Sequence, residues 1–128
     1  MNNIAKLTES QIEELAKEIR EFLLDNDMWQ DVCIYFNGKR FTQRDPETGK
    51  YYYNDRDHLF EEDGQNPEDY FEYVNPNHIL SMSFEGPVCE MLYYGEYPET
   101  KKGFDKIFGK YGLYYEFGNH WNFSCYYI

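Results

Sequence analysis

The sequence lacks the features that mark most enzymes, metalloproteins and membrane proteins. Its three histidines show none of the ligand spacings of a zinc site, and no segment approaches the roughly 18 apolar residues of a membrane-spanning helix. The first residues contain no apolar signal-peptide core. The three cysteines are widely separated and form no Cys-x-x-Cys pair: Cys33, Cys89 and Cys125. We therefore expect one soluble, cytoplasmic domain spanning residues 1–128, with reduced cysteines and neither a cofactor nor a bound metal.

Several groups of residues resemble parts of a catalytic or metal site, but each is incomplete. The cysteines fall in predicted strands, where burial disfavours the thiolate that a nucleophile requires. Glu61-Glu62 beside His58 has no oxyanion donor and no phosphate-binding glycine-rich loop. Residues 55–57 begin like an EF-hand loop whose later positions lack the required ligands. That leaves a looser cation site open among Asp55, Asp57, Glu61 and Asp63. We expect a protein that is not an enzyme.

Positive charge is also scarce. The chain has 24 acidic and 12 basic residues, which give a net charge of -12 and an isoelectric point near 4.5. Because a polyanion repels phosphate, this balance argues against direct binding to DNA, RNA or an anionic membrane. It favours a basic protein surface as the partner. The alternative is that the acidity serves only solubility.

The acidic residues concentrate in residues 55–72, which contain eight acids and one base, Arg56, and so carry seven of the twelve net negative charges. Aromatic residues lie among these acids, which is atypical of a disordered acidic tail. We therefore predict an ordered acidic surface that contacts a partner. Its charged members are Asp55, Asp57, Glu61, Glu62, Asp63, Glu68, Asp69 and Glu72, and its aromatic anchors are Phe60, Tyr70 and Phe71.

Tyrosine is abundant, with fourteen residues among 128. Each buried tyrosine hydroxyl needs a hydrogen-bond partner, so we expect many of these rings at the surface. Tyrosine is enriched at protein interfaces, which favours a binding role. The alternative is that tyrosine serves here as a half-buried strand residue.

The first predicted element is an amphipathic helix that begins at Glu9. Thr8 and Gln11 have the spacing of a capping box, in which each side chain bonds the backbone of the other residue. Apolar residues then recur every three or four positions over residues 12–23, while acids and lysine occupy the opposite face. One face of this helix should therefore pack on the rest of the protein.

Strands and turns make up most of the remaining pattern. Asn37-Gly38 favours a type I′ hairpin turn, because both central residues of that turn need positive φ. Gly112 suits the end of a helix, since glycine readily adopts the left-handed conformation. The predicted strands are 31–36, 39–44, 50–53, 79–84, 88–94, 113–117 and 121–128, and the further predicted helices are 66–73 and 98–111.

Successive hairpins without alternation of strand and helix indicate an α+β fold. We predict a mostly antiparallel sheet of meanders and hairpins. One of its faces should be covered by the N-terminal amphipathic helix and by a second helix near residues 99–111.

In size, charge, predicted single-domain form and the acidic run of residues 55–72, the chain resembles the small acidic anti-CRISPR and antirestriction proteins of phages and mobile elements. The resemblance is one of overall character and includes no residue-level motif. It implies inhibition of a CRISPR effector or restriction enzyme by steric occlusion, in which carboxylates mimic nucleic-acid phosphates. An immunity protein that neutralises a toxin nuclease would use the same electrostatics. A small enzyme or metal-binding protein is a third alternative.

Overall fold

The structure, a computed structural model, describes residues 6–128. Within this range the chain forms a six-stranded antiparallel sheet and three α-helices, which confirms the predicted α+β class. The helices are α1 (Glu9–Asp25), α2 (Gly86–Leu92) and α3 (Pro98–Lys110). The strands are β1 (Val32–Phe36), β2 (Lys39–Thr42), β3 (Phe60–Asp63), β4 (Ser81–Phe84), β5 (Leu113–Asn119) and β6 (Asn122–Tyr127). Their order in the sheet is β3-β2-β1-β4-β6-β5, so that β3 and β5 are the edge strands.

Helix α1 begins where its capping signal predicts. The Gln11 backbone N–H donates to Thr8 Oγ1 at 3.1 Å, and the Thr8 backbone N–H donates to Gln11 Oε1 at 2.9 Å. The apolar face predicted from the spacing is the buried one, with Leu15, Ile19 and Leu23 fully inaccessible to solvent. No helix among residues 6–128 is long and apolar enough to cross a membrane.

The first hairpin also forms as predicted. Asn37 and Gly38 have φ values of 50° and 76°, and strands β1 and β2 pair on either side of them with Ile34 opposite Phe41. Side chains then alternate between the two faces of the sheet. Ile34 and Phe36 join the core beneath the helices, whereas Tyr35 lies on the opposite face.

The predicted strand at residues 50–53 is wrong. This segment makes one isolated bridge, between Arg44 and Tyr51, next to the turn that closes at Gly49. The place beside β2 is taken instead by β3, whose acidic sequence is unusual for a strand. Two basic residues of β2 compensate: Lys39 lies opposite Asp63, and Arg40 opposite Glu62.

Two further predictions need correction. Residues 88–94 do not form a strand, since α2 occupies residues 86–92 with a proline in its first turn, and Cys89 is therefore helical. The predicted helix at 66–73 is reduced to a single 3₁₀ turn, Pro67–Asp69, and the Asn66 side chain makes no capping bond. A short apolar run fits a strand and a helix equally well, which explains the first error.

Residues 98–128 follow the predicted pattern. Helix α3 buries Phe104, Ile107 and Phe108 and is followed by Gly112 at a φ of 75°. The final hairpin, β5 with β6, has Phe117 opposite Phe123 and a register shift between residues 117 and 119.

The core lies between one face of the sheet and the helices. Its buried apolar residues form one cluster that includes side chains of α1, α2 and α3 together with inward residues of five strands. Among residues 6–128, α-helices therefore cover only this face. We call the other face, which carries Tyr35, Arg40 and Glu62, the helix-free face.

Replacing Phe123 with alanine should destabilise the fold strongly. The ring is fully buried, and its centroid lies 4.5 Å from that of Tyr115 and 5.5 Å from that of Phe84. The cavity left by Phe123→Ala should cost about 3–5 kcal/mol of the free energy of unfolding. Urea denaturation at unchanged m-value measures the loss. Tyr114→Ala, at an exposed position on β5, is the control and should cost much less, and equal losses in the two variants would contradict this packing.

Candidate partner-binding surface

Residues 64–78 run across the helix-free face and connect edge strand β3 to the interior strand β4. The segment leaves edge strand β3, and the Gln65 backbone N–H donates to the Gly38 carbonyl at 3.1 Å. At the far end, just before β4, the Ile79 backbone N–H donates to the Cys125 carbonyl at 2.8 Å. We call residues 64–78 the strap. The strap contains no α-helix or β-strand, so its position depends on side-chain contacts with the sheet.

Phe71 fixes the middle of the strap to the sheet. Its side chain is only 6% exposed, and its ring meets those of Tyr35 and Trp121 edge-on, each at a centroid distance of 5.5 Å. Edge-to-face packing of this kind adds stability beyond the burial of apolar area. Phe71 is thus enclosed by the protein, whereas the Tyr70 ring beside it is 48% exposed.

Arg40 connects the strap to β3. Its guanidinium lies 5.1 Å from the centre of the Tyr70 ring and donates through Nε to Glu62 Oε1 at 2.8 Å. A second donor, Nη1, reaches the Tyr35 hydroxyl at 3.3 Å. Burial raises the pKa of that hydroxyl to about 12, so it is protonated at neutral pH. Arg40 and Glu62 therefore serve internal cohesion rather than an outward charge.

Four of the eight predicted acids have internal partners. Glu62 pairs with Arg40, and Glu61 approaches the Lys39 ammonium at 3.4 Å on the helix-covered side. The Asp55 carboxylate lies 2.9 Å from His58 Nδ1, and the Asp57 backbone N–H, followed by His58, holds the pKa of the Asp55 carboxyl below its usual value. Glu68 Oε1 is 3.8 Å from His78 Nε2.

The Glu68–His78 pair leaves most of the carboxylate charge uncompensated. His78 is half-buried, and burial lowers the pKa of its imidazole. A lowered pKa means that the ring is mainly neutral at pH 7. Its Nδ1 lies 3.1 Å from the Ser81 hydroxyl, which holds this end of the strap against β4.

The other four predicted acids are exposed and make no ion pair with any residue of 6–128. Two of them, Asp69 and Glu72, lie on the strap with Glu68, whereas Asp63 ends β3 and Asp57 lies in the preceding loop. The structure therefore gathers only part of the predicted acidic surface on the strap. We call the exposed residues Glu68, Asp69, Tyr70, Glu72 and Tyr73 the strap surface.

Tyr73 is not among the aromatic anchors predicted from the sequence, although its side chain is 67% exposed. The only sequence signal was its position directly after Glu72. Phe60, by contrast, is half-buried, with its ring 5.5 Å from that of Tyr52. Phe60 thus supports the loop that carries Asp55 and Asp57. It precedes the strap in the sequence and is not part of the strap surface.

Buried Arg20 of α1 holds this loop in place. Its Nη2 lies 3.2 Å from the Arg56 carbonyl and 3.4 Å from the Asp55 carbonyl, while Arg56 in turn pairs with Glu21 and Asp25. The first residues of the acidic run are therefore joined to the outer side of α1. They face a different part of the surface from the strap.

The acids of β3 also have an explanation that needs no partner. β3 is an edge strand, and an edge strand with unpaired backbone groups invites pairing with another chain. Charged residues such as Glu61 and Asp63 oppose such pairing. For this reason the strap surface, which is not part of a strand, is the better candidate for a specific contact.

No group of three or more His, Cys, Asp or Glu side chains in residues 6–128 is arranged to hold a metal ion, including the acids around Asp55. Burial raises the pKa of the thiols of Cys33, Cys89 and Cys125, which disfavours their reactive thiolates. The Cys89 thiol donates to the backbone carbonyl of His120 at 3.4 Å, and it makes this contact to the backbone rather than to the imidazole.

An open cleft of about 280 Å³ lies on the helix-free face beside the strap. Its walls include Cys33, Arg40, Arg44, Glu62, Ser83 and Trp121. Because guanidinium and carboxylate groups both line it, the cleft favours no single sign of ligand charge. Its residues come from separate strands and share no motif, so the sequence alone did not reveal it.

Comparison of the chain with protein families, with curated proteins and with solved structures finds no match.

Charge reversal should separate the structural acids from the exposed ones. Glu62→Lys removes a well-shielded partner of Arg40 and should cost about 1.5–3 kcal/mol of unfolding free energy, the range for hydrogen bonds to charged groups. Asp69→Lys removes no ion pair with residues 6–128 and should change stability by about 0.5 kcal/mol or less. Chemical denaturation of both variants measures the difference. Equal stability of Glu62→Lys and Asp69→Lys would show that the Arg40 pair contributes nothing.

Proposed function

We propose that this chain is an acidic protein inhibitor whose strap surface occupies a basic, nucleic-acid-binding surface on a nuclease-type partner. The observation that carries the proposal is the set of exposed carboxylates on the strap, Glu68, Asp69 and Glu72, interleaved with the exposed rings of Tyr70 and Tyr73. Carboxylates spaced along a surface can pair with the Arg and Lys side chains that normally neutralise phosphates. Association would release counterions from both partners.

The attachment of the strap supports an interface more than a solubilising role. Phe71 is enclosed between Tyr35 and Trp121, and Tyr70 lies over Arg40, so the acids on either side of this pair, Asp69 and Glu72, are held in a defined arrangement. A surface that is already ordered loses less conformational entropy on binding. Solubility alone requires charge but no such order.

The partner class follows from the charge. At -12 the chain is repelled by nucleic acid and attracted to proteins that bind it. CRISPR effectors and restriction enzymes fit this description, and the inhibitor would then act by steric occlusion in the cytoplasm, without catalysis or a cofactor. A toxin nuclease fits as well, in which case the chain is an immunity protein. The inhibited nuclease distinguishes the two roles.

Reversing two strap charges should weaken binding to the partner nuclease. We expect Asp69→Lys/Glu72→Lys to weaken binding about tenfold or more, mainly by slowing association, because charges at the rim of an interface act on the association rate. Surface plasmon resonance against an RNA-guided nuclease, a restriction endonuclease and a toxin nuclease measures the rates.

The matched control is Glu14→Lys/Glu47→Lys, which changes the net charge equally at two exposed sites outside the strap. Glu14 lies on α1, which covers the opposite face of the sheet. This variant should bind nearly as well as the unmodified chain. If both double variants lose affinity equally, total charge acts and the strap surface is not the contact site.

A further inference from the structure

A second exposed group of aromatic side chains lies at the other edge of the sheet. Tyr93 and Tyr94 follow α2, are 53% and 66% exposed, and have ring centroids 5.1 Å apart. The Tyr93 ring also lies 6.4 Å from that of Phe117 on edge strand β5 and 5.6 Å from that of His120. We call Tyr93, Tyr94, Phe117 and His120 the aromatic patch.

The backbone beneath the patch is well constrained. The Tyr93 N–H donates to the Cys89 carbonyl at 2.8 Å, and the Glu96 N–H donates to the Glu90 carbonyl at 3.0 Å. The thiol of Cys89 joins α2 to the β5–β6 turn through the His120 carbonyl. Tyr97, at the end of the loop, has a φ of 56°, which is costly for a bulky residue and is retained where surrounding structure enforces it. The rings are therefore displayed by an ordered loop.

The surroundings of the patch are acidic. The sequence contains no Lys or Arg between Arg56 and Lys101, and the exposed acids Glu90 and Glu96 flank the two tyrosines in the chain. Neither glutamate forms an ion pair within residues 6–128. Exposed rings next to uncompensated carboxylates suit an arginine, whose guanidinium stacks on an aromatic face while its N–H groups bond a carboxylate.

A second copy of the chain is a poor occupant. Two molecules that each carry a charge of -12 repel one another, and the patch adds further acids to the contact. Clustered aromatic residues nevertheless mark interaction sites, and tyrosine is among the residues that dominate binding energy. A positively charged partner complements the acidic charge of the patch and can also cover its exposed rings.

The patch lies across edge strand β5 from the strap, because the Phe117 ring faces the core side with Phe84 and Phe123. A cavity of about 210 Å³ is lined by Tyr73 of the strap and by Phe117 and Gly118 of β5. A Cβ atom added to Gly118 would lie 3.6 Å from the Tyr73 carbonyl oxygen, so the end of the strap packs closely on this edge strand. A partner that contacts both regions reaches around this edge strand.

We propose that the aromatic patch is a second contact site for the same basic partner, in which arginine side chains stack on Tyr93 and Tyr94 and bond Glu90 and Glu96. This inference rests on the proposed function, because it assumes a basic protein partner. The strap surface then provides the charge-driven attraction, and the patch provides the arginine-selective contact.

Nuclear magnetic resonance titration of the ¹⁵N-labelled chain with a hexa-arginine peptide and a hexa-lysine peptide tests the inference. Hexa-arginine should shift the backbone signals of residues 93–97 and 117–118 and bind about threefold more tightly than hexa-lysine, because arginine stacks on aromatic rings. Tyr93→Ala/Tyr94→Ala should lower the affinity for hexa-arginine about fivefold or more and remove the preference for arginine.

Tyr51→Ala/Tyr53→Ala is the matched control, since these two tyrosines are also exposed and their rings lie 5.6 Å apart. This control should retain the full affinity and the arginine preference. Tyr93→Leu/Tyr94→Leu keeps apolar bulk at the patch and should still lose the preference, which covers the case of an alanine variant that folds poorly.

The position of the shifted signals separates the two proposals. Shifts confined to residues 64–73 would overturn the role of the patch and leave the strap surface as the contact site. Shifts at the patch with none at the strap would support the patch and contradict the strap assignment. Signals that broaden with the concentration of the chain alone would overturn the inference in favour of self-association, and an absence of shifts with either peptide would overturn both proposals.

Discussion

The contact of Phe71 with Tyr35 and Trp121 determines where the acidic part of this chain lies. Residues 64–78 form neither an α-helix nor a β-strand, so backbone pairing alone cannot hold them on the sheet. The buried ring joins them to β1 and to the residue before β6, two positions far apart in the sequence. The charges beside Phe71 are exposed because the ring itself faces inward. The proposed function thus depends on an apolar contact as much as on charge.

The acidic run of residues 55–72 divides into charges with structural partners and charges without them. Glu62 stabilises the junction of β2, β3 and strap through Arg40, and Glu61 pairs with Lys39 beside the core-facing side. Reversal of the shielded Glu62 would destabilise the fold, and a loss of binding in that variant would be ambiguous. Asp69 and Glu72 carry no such role within residues 6–128. Only substitutions of these acids without structural partners can therefore test partner binding separately from stability.

Local signals predicted the elements that local physics determines. The capping box at Thr8 and the Asn37-Gly38 turn gave the start of α1 and the first hairpin, because backbone hydrogen bonds and φ preferences act over a few residues. Strand β3 was missed, since its acids favour a strand only when Lys39 and Arg40 lie opposite. The strap and the grouping of Tyr93 with Phe117 depend on contacts between distant segments, which no short pattern encodes. The sequence therefore indicated the charge of the candidate site but not its shape.

Competition between this chain and nucleic acid for the partner nuclease shows whether the strap carboxylates take the place of phosphates. The nuclease is immobilised and the chain is bound to it. The guide RNA or substrate DNA of the nuclease is then added at increasing concentration, and the titration is repeated from low to high salt. We expect mutually exclusive binding, with an affinity for the chain that falls steeply as salt rises. A ternary complex that persists at saturating nucleic acid, with an affinity indifferent to salt, would contradict the claim that the strap carboxylates replace phosphates.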